Sequence, residues 1–274
     1  MRLLICFFIL MFLSFPAFAV EKESAFDRVM KSGVIRCGYW VRSPMITKDL
    51  NTGKLSGAYV EYIEGMAKNM DLKIEWAGEI NLSTYLQDVN QGKFDAECAT
   101  GWPNSIRGKF VEYTKPIGYM PMYAYAKAGN VSFDNNLKAI NKKDIRFSGH
   151  DGGTNTMVHD KFFPESQLVS VVGDAPATEP LDMIKYGKAD VTVFTTFEGN
   201  AYMKENPDTL HRVESDPIRI IPVNMSVAAG EFRFLNMLNT ATDEMINDGS
   251  LEKIFEKYGL DKNVILRSAK PYQE

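Results

Sequence analysis

The feature that most narrows the fold is an alternation of short apolar strands and amphipathic helices that occurs twice. Residues 34–37 read as a strand, and Leu72, Ile74 and Trp76 alternate as another. Between them Tyr59, Ile63, Met66, Ala67 and Met70 keep helical spacing. A second helix carrying Leu86 and Val89 precedes a strand over 94–98. This order implies a parallel sheet covered by helices. The pattern returns: Ile145 and Phe147 on a strand, a helix over 154–163, a strand over 168–172, a helix with Leu181 and Ile184, and a strand over 189–194. The units share an echo. Gly92-Lys93-Phe94-Asp95 and Gly187-Lys188-Ala189-Asp190 each follow a helix and open an apolar strand, with glycine suited to the helix end.

Extended stretches over 119–128 and 220–229 lead out of the two units. A long helix over 232–247 follows, then a short one with Ser250 as N-cap, Leu251, Ile254, Phe255 and Tyr258 on one face, and Gly259 as stop. With no strands of their own, these helices are expected to pack on the first unit. The expected α/β architecture is therefore two lobes with a cleft between them: 20–121 as the first part of lobe 1, 122–222 as lobe 2, and 223–274 returning to lobe 1. Such a cleft closes on a ligand by hinge motion.

Residues 1–19 stand apart from this pattern. Met1-Arg2 is a positive start, 3–15 carries no charge, and Ala17-Phe18-Ala19 places small residues where a signal peptidase reads. The stretch is shorter than the roughly 20 apolar residues that span a bilayer. A cleaved export signal is expected, with cleavage near Ala19/Val20 and the mature chain soluble in the periplasm. A net charge of −4 without a basic cluster argues against nucleic acid as a partner. No P-loop, Gly-x-Ser-x-Gly or His-Glu-x-x-His motif occurs, and no cofactor or metal is expected. His150, His159 and His211 are not at metal-ligand spacing and read as surface or structural residues. Cys37 and Cys98 lie in strands; a disulfide is open to them in an oxidising compartment, but buried free thiols are the expected state.

The richest stretch is 95–116. Asp95, Arg107, Tyr113, Thr114 and Pro116 resemble the pattern of extracellular solute-binding proteins of the polar amino acid type (solute-binding protein family 3), with Asn104-Ser105-Ile106-Arg107 in the family's Thr-Pro-Glu-Arg slot. Further resemblances lie in Gly53-Lys54-Leu55-Ser56-Gly57-Ala58-Tyr59, in Gly152-Gly153-Thr154, and in Asn247-Asp248-Gly249-Ser250-Leu251 with Ile254, Lys257, Tyr258 and Gly259. The resemblance implies a periplasmic-binding-protein type II fold, two Rossmann-like lobes joined by a two-stranded hinge. It also implies delivery of a small solute to an ABC-transporter permease by a monomer.

On this resemblance Arg107 takes the solute carboxylate, which a guanidinium fork matches with two parallel hydrogen bonds. The alternative is a surface arginine paired with Glu112. Backbone amides near Trp102 and Thr154 complete the carboxylate cradle, Asn155 beside them, and Thr154 starts a helix whose amides favour an anion. Tyr39 and Trp40 follow the first strand, where open α/β sheets bind ligands; each either stacks on the solute or packs in the core. The chain departs from the pattern in two places. Trp102-Pro103 replaces Thr-x before the arginine motif, and Thr195-Thr196 stands where an aspartate meets the ligand ammonium. A hydroxyl cannot neutralise a positive charge, so a carboxylate without a standard α-amino group is expected unless Glu198 or Asp151 compensates. Two other functions stay open. Glu198 falls near the catalytic glutamate of cyclohexadienyl dehydratase, which shares this fold, and a secreted sensor for a membrane receptor fits the same sequence.

Overall fold

The computed structural model describes residues 23–268 except 44, 100, 101 and 263. In chain order the elements are α1 (Ala25–Ser32), β1 (Val34–Tyr39), β2 (Thr47–Lys48), β3 (Leu55–Ser56), α2 (Ala58–Asn69), β4 (Lys73–Glu79), α3 (Tyr85–Asn90), β5 (Ala96–Glu97), β6 (Val111–Tyr113) and β7 (Gly118–Lys127). Then come β8 (Arg146–His150), α4 (Thr154–Phe162), β9 (Gln167–Val171), α5 (Glu179–Lys185), β10 (Val191–Thr195), α6 (Thr196–Glu205), β11 (Leu210–Arg212), β12 (Arg219–Val223), β13 (Ser226–Ala228), α7 (Phe232–Asn247), α8 (Ser250–Lys257) and β14 (Leu266–Arg267).

Two main sheets define two lobes. The first runs β4-β1-β5-β13-β6, with β1 parallel to β4 and β5 and β13 antiparallel to its neighbours. The second runs β11-β7-β10-β8-β9, with β12 and β14 also on β7. By sheet membership the chain passes between lobes at 114–117 and 224–225, so the expected boundaries at 121/122 and 222/223 fall inside or at the edge of β7 and β12. The passages run antiparallel and bond to each other: Thr114 N–H donates to Met225 O at 3.0 Å, and Ile117 N–H to Val223 O at 3.0 Å. As read from sequence, α7 and α8 pack on α2 of lobe 1. Beyond them the chain crosses once more. Leu266 pairs with Tyr119 and Arg267 with Gly118, and Arg267 holds Glu252 of α8 by two hydrogen bonds of 2.6 and 2.7 Å. A third passage was not legible, because a two-residue strand carries no periodicity.

In α2, Tyr59, Tyr62, Ile63 and Met66 are all buried, at the i, i+3, i+4, i+7 spacing of one apolar face. The N-cap of α8 is Gly249 rather than Ser250. Asp248 Oδ1 takes the Ser250 N–H at 2.8 Å, and the Ser250 hydroxyl turns back to Met245 O. Ser250 therefore begins the helix instead of capping it.

The Gly-Lys-x-Asp echo is one structural device built twice. Asp95 Oδ2 accepts the Arg36 N–H at the start of β1 at 2.6 Å, and the Arg36 guanidinium reaches Asp95 Oδ1 and Gly92 O. Asp190 Oδ2 accepts the Arg146 N–H at the start of β8 at 2.8 Å, and Arg146 reaches Asp190 Oδ1 and Gly187 O. Gly92 and Gly187 both take φ above +70°, which bends the chain back from the helix and presents the carbonyl to the arginine.

The expectation of free thiols is overturned: Cys37 and Cys98 form a disulfide, with Cα atoms 5.4 Å apart. The register explains it. Cys37 on β1 pairs with Ala96 of β5, and Cys98 N–H still bonds to Gly38 O at 2.8 Å, so the chain beyond β5 continues alongside β1. Adjacent parallel strands bring the two side chains within bonding reach.

Candidate functional site

The lobes meet over a cavity of about 580 Å3, its open mouth included. Lobe 1 contributes Trp40 and Arg42 after β1, Ile80 and Leu82 after β4, Tyr85 opening α3, Glu97 and Ala99 at the end of β5, and Trp102 and Arg107 beyond. Lobe 2 contributes His150 at the end of β8, Gly153, Thr154 and Asn155 opening α4, Val193 and Phe194 on β10, and Glu198 in the first turn of α6. Most of these lie at the carboxyl ends of parallel strands, where helix N-termini converge and open α/β sheets bind ligands.

Arg107 sits in a 3-10 turn, Arg107–Lys109, and is buried. Asn104 holds that turn: its Oδ1 accepts the N–H groups of Ile106 and Arg107, each at 3.0 Å. Arg107 Nη1 donates to Trp102 O at 3.1 Å and Nη2 to Gly152 O of the facing lobe, while its guanidinium lies 5.3 Å from the Tyr85 ring centre. Among the described residues no carboxylate pairs with it, so the alternative of a surface ion pair with Glu112 does not hold. Gly152 takes φ +70°, and a Cβ there would stand 2.7 Å from Leu82 O. Glycine is needed because the lobes approach backbone to backbone at that point.

Five residues singled out in the sequence come together on the cavity: Arg107, Trp102, Trp40, Thr154 and Asn155. Asn155 serves the backbone, its Oδ1 accepting the N–H groups of His150 and Thr156. Two do not reach the cavity wall. Tyr39 turns to the other face of β1, as alternation demands once Trp40 faces the cleft, and meets the Trp76 ring edge-on at 6.0 Å. Thr195 is fully buried as the N-cap of α6, accepting the Glu198 N–H and donating to Glu198 Oε2 at 2.6 Å. Asp151 is exposed and also lies off the cavity.

Sequence reasoning missed Arg42, Glu97 and the position of His150. Arg42 is buried, its Nε 3.3 Å from Glu198 Oε1 across the cleft, its guanidinium 4.7 Å from the Trp102 ring centre. Glu97 is buried on β5, where Oε1 accepts the Ala99 N–H at 2.8 Å and Oε2 the Ser226 hydroxyl at 3.4 Å. A glutamate between Ala96 and Cys98 in a strand read as buried was the available signal for it; Arg42 carried none. His150 stacks edge-on with Trp40 at 5.3 Å and bonds Pro176 O through Nε2. Burial pushes its pKa below the usual histidine range, so it adds no cation to the site at neutral pH. His159 and His211 bond Ser166 O and Asp134, away from the cavity. Among the described residues no cluster of three or more His, Cys, Asp or Glu side chains is arranged to hold a metal ion. Nor is any helix of the described residues long and apolar enough to cross a membrane.

The comparisons with known proteins agree with this fold. The sequence model of the bacterial extracellular solute-binding proteins, family 3, matches residues 35–261. A probable amino-acid ABC transporter-binding protein of Haemophilus influenzae is 26% identical over 250 residues, covering 91% of this chain and 93% of the relative. Among solved structures, the solute receptor for L-cysteine of Neisseria gonorrhoeae superposes with a TM-score of 0.77 at 22% identity, over 89% of this chain and 100% of that one. The ancestral amino acid-binding protein AncCDT-1, a precursor of cyclohexadienyl dehydratase, gives 0.75 at 22% identity, over 86% and 99%. At those identities the structures speak to fold alone, and the fold is the expected type II arrangement of two α/β lobes.

Proposed function

The chain belongs to the family 3 bacterial extracellular solute-binding proteins, and from that premise we propose that it captures a small carboxylate-bearing solute, an amino acid or a close analogue, and hands it to an ABC importer. One observation carries the choice of a carboxylate. Arg107 is buried in the cleft wall with carbonyl oxygens but no carboxylate beside it among the described residues. A buried guanidinium without a counter-charge is costly unless a ligand supplies one. Thr154 opens α4 on the same cavity, with helix amides on hand for an anion.

Closure would bind the solute through both lobes at once. Arg107 spans them by its bond to Gly152 O, and Arg219 of β12 reaches Pro103 O at 3.1 Å. Both Glu198 oxygens are taken, Oε1 by Arg42 across the cleft and Oε2 by the Thr195 hydroxyl, which supports a role in joining the lobes around a bound solute. Residues 1–19, outside the described residues, read as an export signal cleaved near Ala19/Val20, and the mature protein is assigned to the periplasm as a monomer.

The test is Arg107→Ala, followed by titration calorimetry with whichever carboxylate raises the melting temperature of the wild type. Losing one partner of a buried charge pair costs about 2–5 kcal/mol, so binding should weaken at least tens-fold. A cooperative melt of the mutant verifies folding. Wild-type affinity in a folded Arg107→Ala protein would remove the carboxylate assignment.

A further inference from the structure

Four charged side chains line the cavity: Arg42, Glu97, Arg107 and Glu198. Both carboxylates already have protein donors. Glu97 receives the Ala99 N–H and the Ser226 hydroxyl. Glu198 receives the Thr195 hydroxyl on Oε2 and Arg42 Nε on Oε1. Arg42 is itself tied to its own lobe, donating Nη2 to Ala99 O at 3.3 Å and lying over the rings of Trp102 and Tyr59. A guanidinium of this protein thus stands against Glu198, the one lobe-2 carboxylate among the residues lining the cavity.

The donors of the same wall are not all matched in this way. The indole N–H of Trp102 is buried and has no acceptor among the described residues. The Tyr85 hydroxyl on the same wall faces that of Tyr113, so the indole is the donor left over. An unmet buried donor is penalised, and only an acceptor relieves it. Indole N–H is donor only; so is an ammonium, which offers it nothing.

We propose that the solute carries an oxygen acceptor next to its carboxylate and no ammonium, a 2-oxo or 2-hydroxy acid with an apolar body, with Trp102 Nε1 as the donor to that oxygen and Arg42 as the built-in counter-ion of Glu198. The inference rests on the Arg107–carboxylate reading and narrows it. Ile80, Leu82, Val193 and Phe194 suit the apolar body.

The experiment is calorimetry with matched trios: the 2-amino, 2-hydroxy and 2-oxo acids of the leucine and phenylalanine skeletons. They are titrated into wild type, Trp102→Phe, Arg42→Met and Arg107→Ala. In wild type an oxygenated member should bind at least tenfold tighter than its amino partner. Trp102→Phe keeps a ring but loses the donor, and should cost the oxygenated acid about tenfold. Arg42→Met, by freeing Glu198, should shrink or reverse the preference. An amino acid that binds as tightly as its oxygenated partners overturns the inference; if Arg107→Ala still abolishes that binding, the carboxylate reading survives. Tight oxygenated binding untouched by Trp102→Phe also overturns it. If no trio member binds wild type, the carboxylate reading fails for these skeletons and the inference falls with it.

Discussion

Lobe 1 and lobe 2 repeat one device at opposite exposure. In lobe 1 Asp95 is almost wholly buried (side chain 1% exposed) and is shared by Arg28 and Arg36. In lobe 2 Asp190 is 29% exposed and serves Arg146 alone. The hydrogen-bond pattern is the same in both, an aspartate joining the start of one parallel strand to the helix end before its neighbour. What differs is how much protein lies over it. α1 covers the first latch and supplies Arg28, whereas the second lobe has no counterpart to α1 among its described elements. The lobe with the deeper latch also holds the disulfide, and lobe 2 has no cysteine. Lobe 1 is therefore the more tightly held of two similar units.

Breaking the latches should separate the lobes most. Removing Asp95 leaves two arginines partly buried without their carboxylate, so Asp95→Ala is expected to cost about 3–5 kcal/mol. Asp190→Ala, at a site nearer solvent, should cost about 1 kcal/mol. Denaturant unfolding of the two mutants would measure the difference, and equal losses would contradict the argument from burial. Next in size is the disulfide, whose partners lie 61 residues apart. In the chain-entropy account a loop of that length is worth about 4 kcal/mol, and native disulfides typically deliver about 2–4. A Cys37→Ser/Cys98→Ser double mutant should lower the melting temperature by several degrees, and reduction of wild type should do the same. An unchanged transition would show that the strand pairing of β1 and β5 suffices alone.

The smallest effect is on pH dependence. Asp190 sits below the usual carboxylate range, chiefly through its side-chain hydrogen bond with Arg146. A carboxylate depressed in the fold adds stability that is present above its unfolded pKa, near 4, and lost as pH falls through the folded value. Asp190→Ala should thus cost least in strong acid and flatten the acid limb of a melting-temperature profile below about pH 4. A profile parallel to wild type would assign the shift no weight in stability.

Much of this was legible in order and little of it in depth. The two β-α-β units, the bounds of α7 and the clustering of Trp40, Trp102, Arg107, Thr154 and Asn155 all follow from periodicity and from the family motif, which are local along the chain. The echo showed that Asp95 and Asp190 are equivalent, but not that an arginine about 44 to 59 residues earlier closes each latch. Tyr39 and Trp40 looked interchangeable because adjacent residues in a strand differ only by face. Thr195, expected to face the solute, is taken up by its own helix cap, a contact whose signal, Thr195-x-x-Glu198, was read for Glu198 alone.

By itself the sequence determined the fold class and the family, because each rests on residues near one another in the chain. Tertiary structure alone decided the disulfide, the Arg42–Glu198 pair and the unmatched indole N–H of Trp102. Those depend on register and on the approach of two lobes. A free-energy difference of a few kcal/mol between groups far apart in sequence leaves no pattern along the chain that forms them.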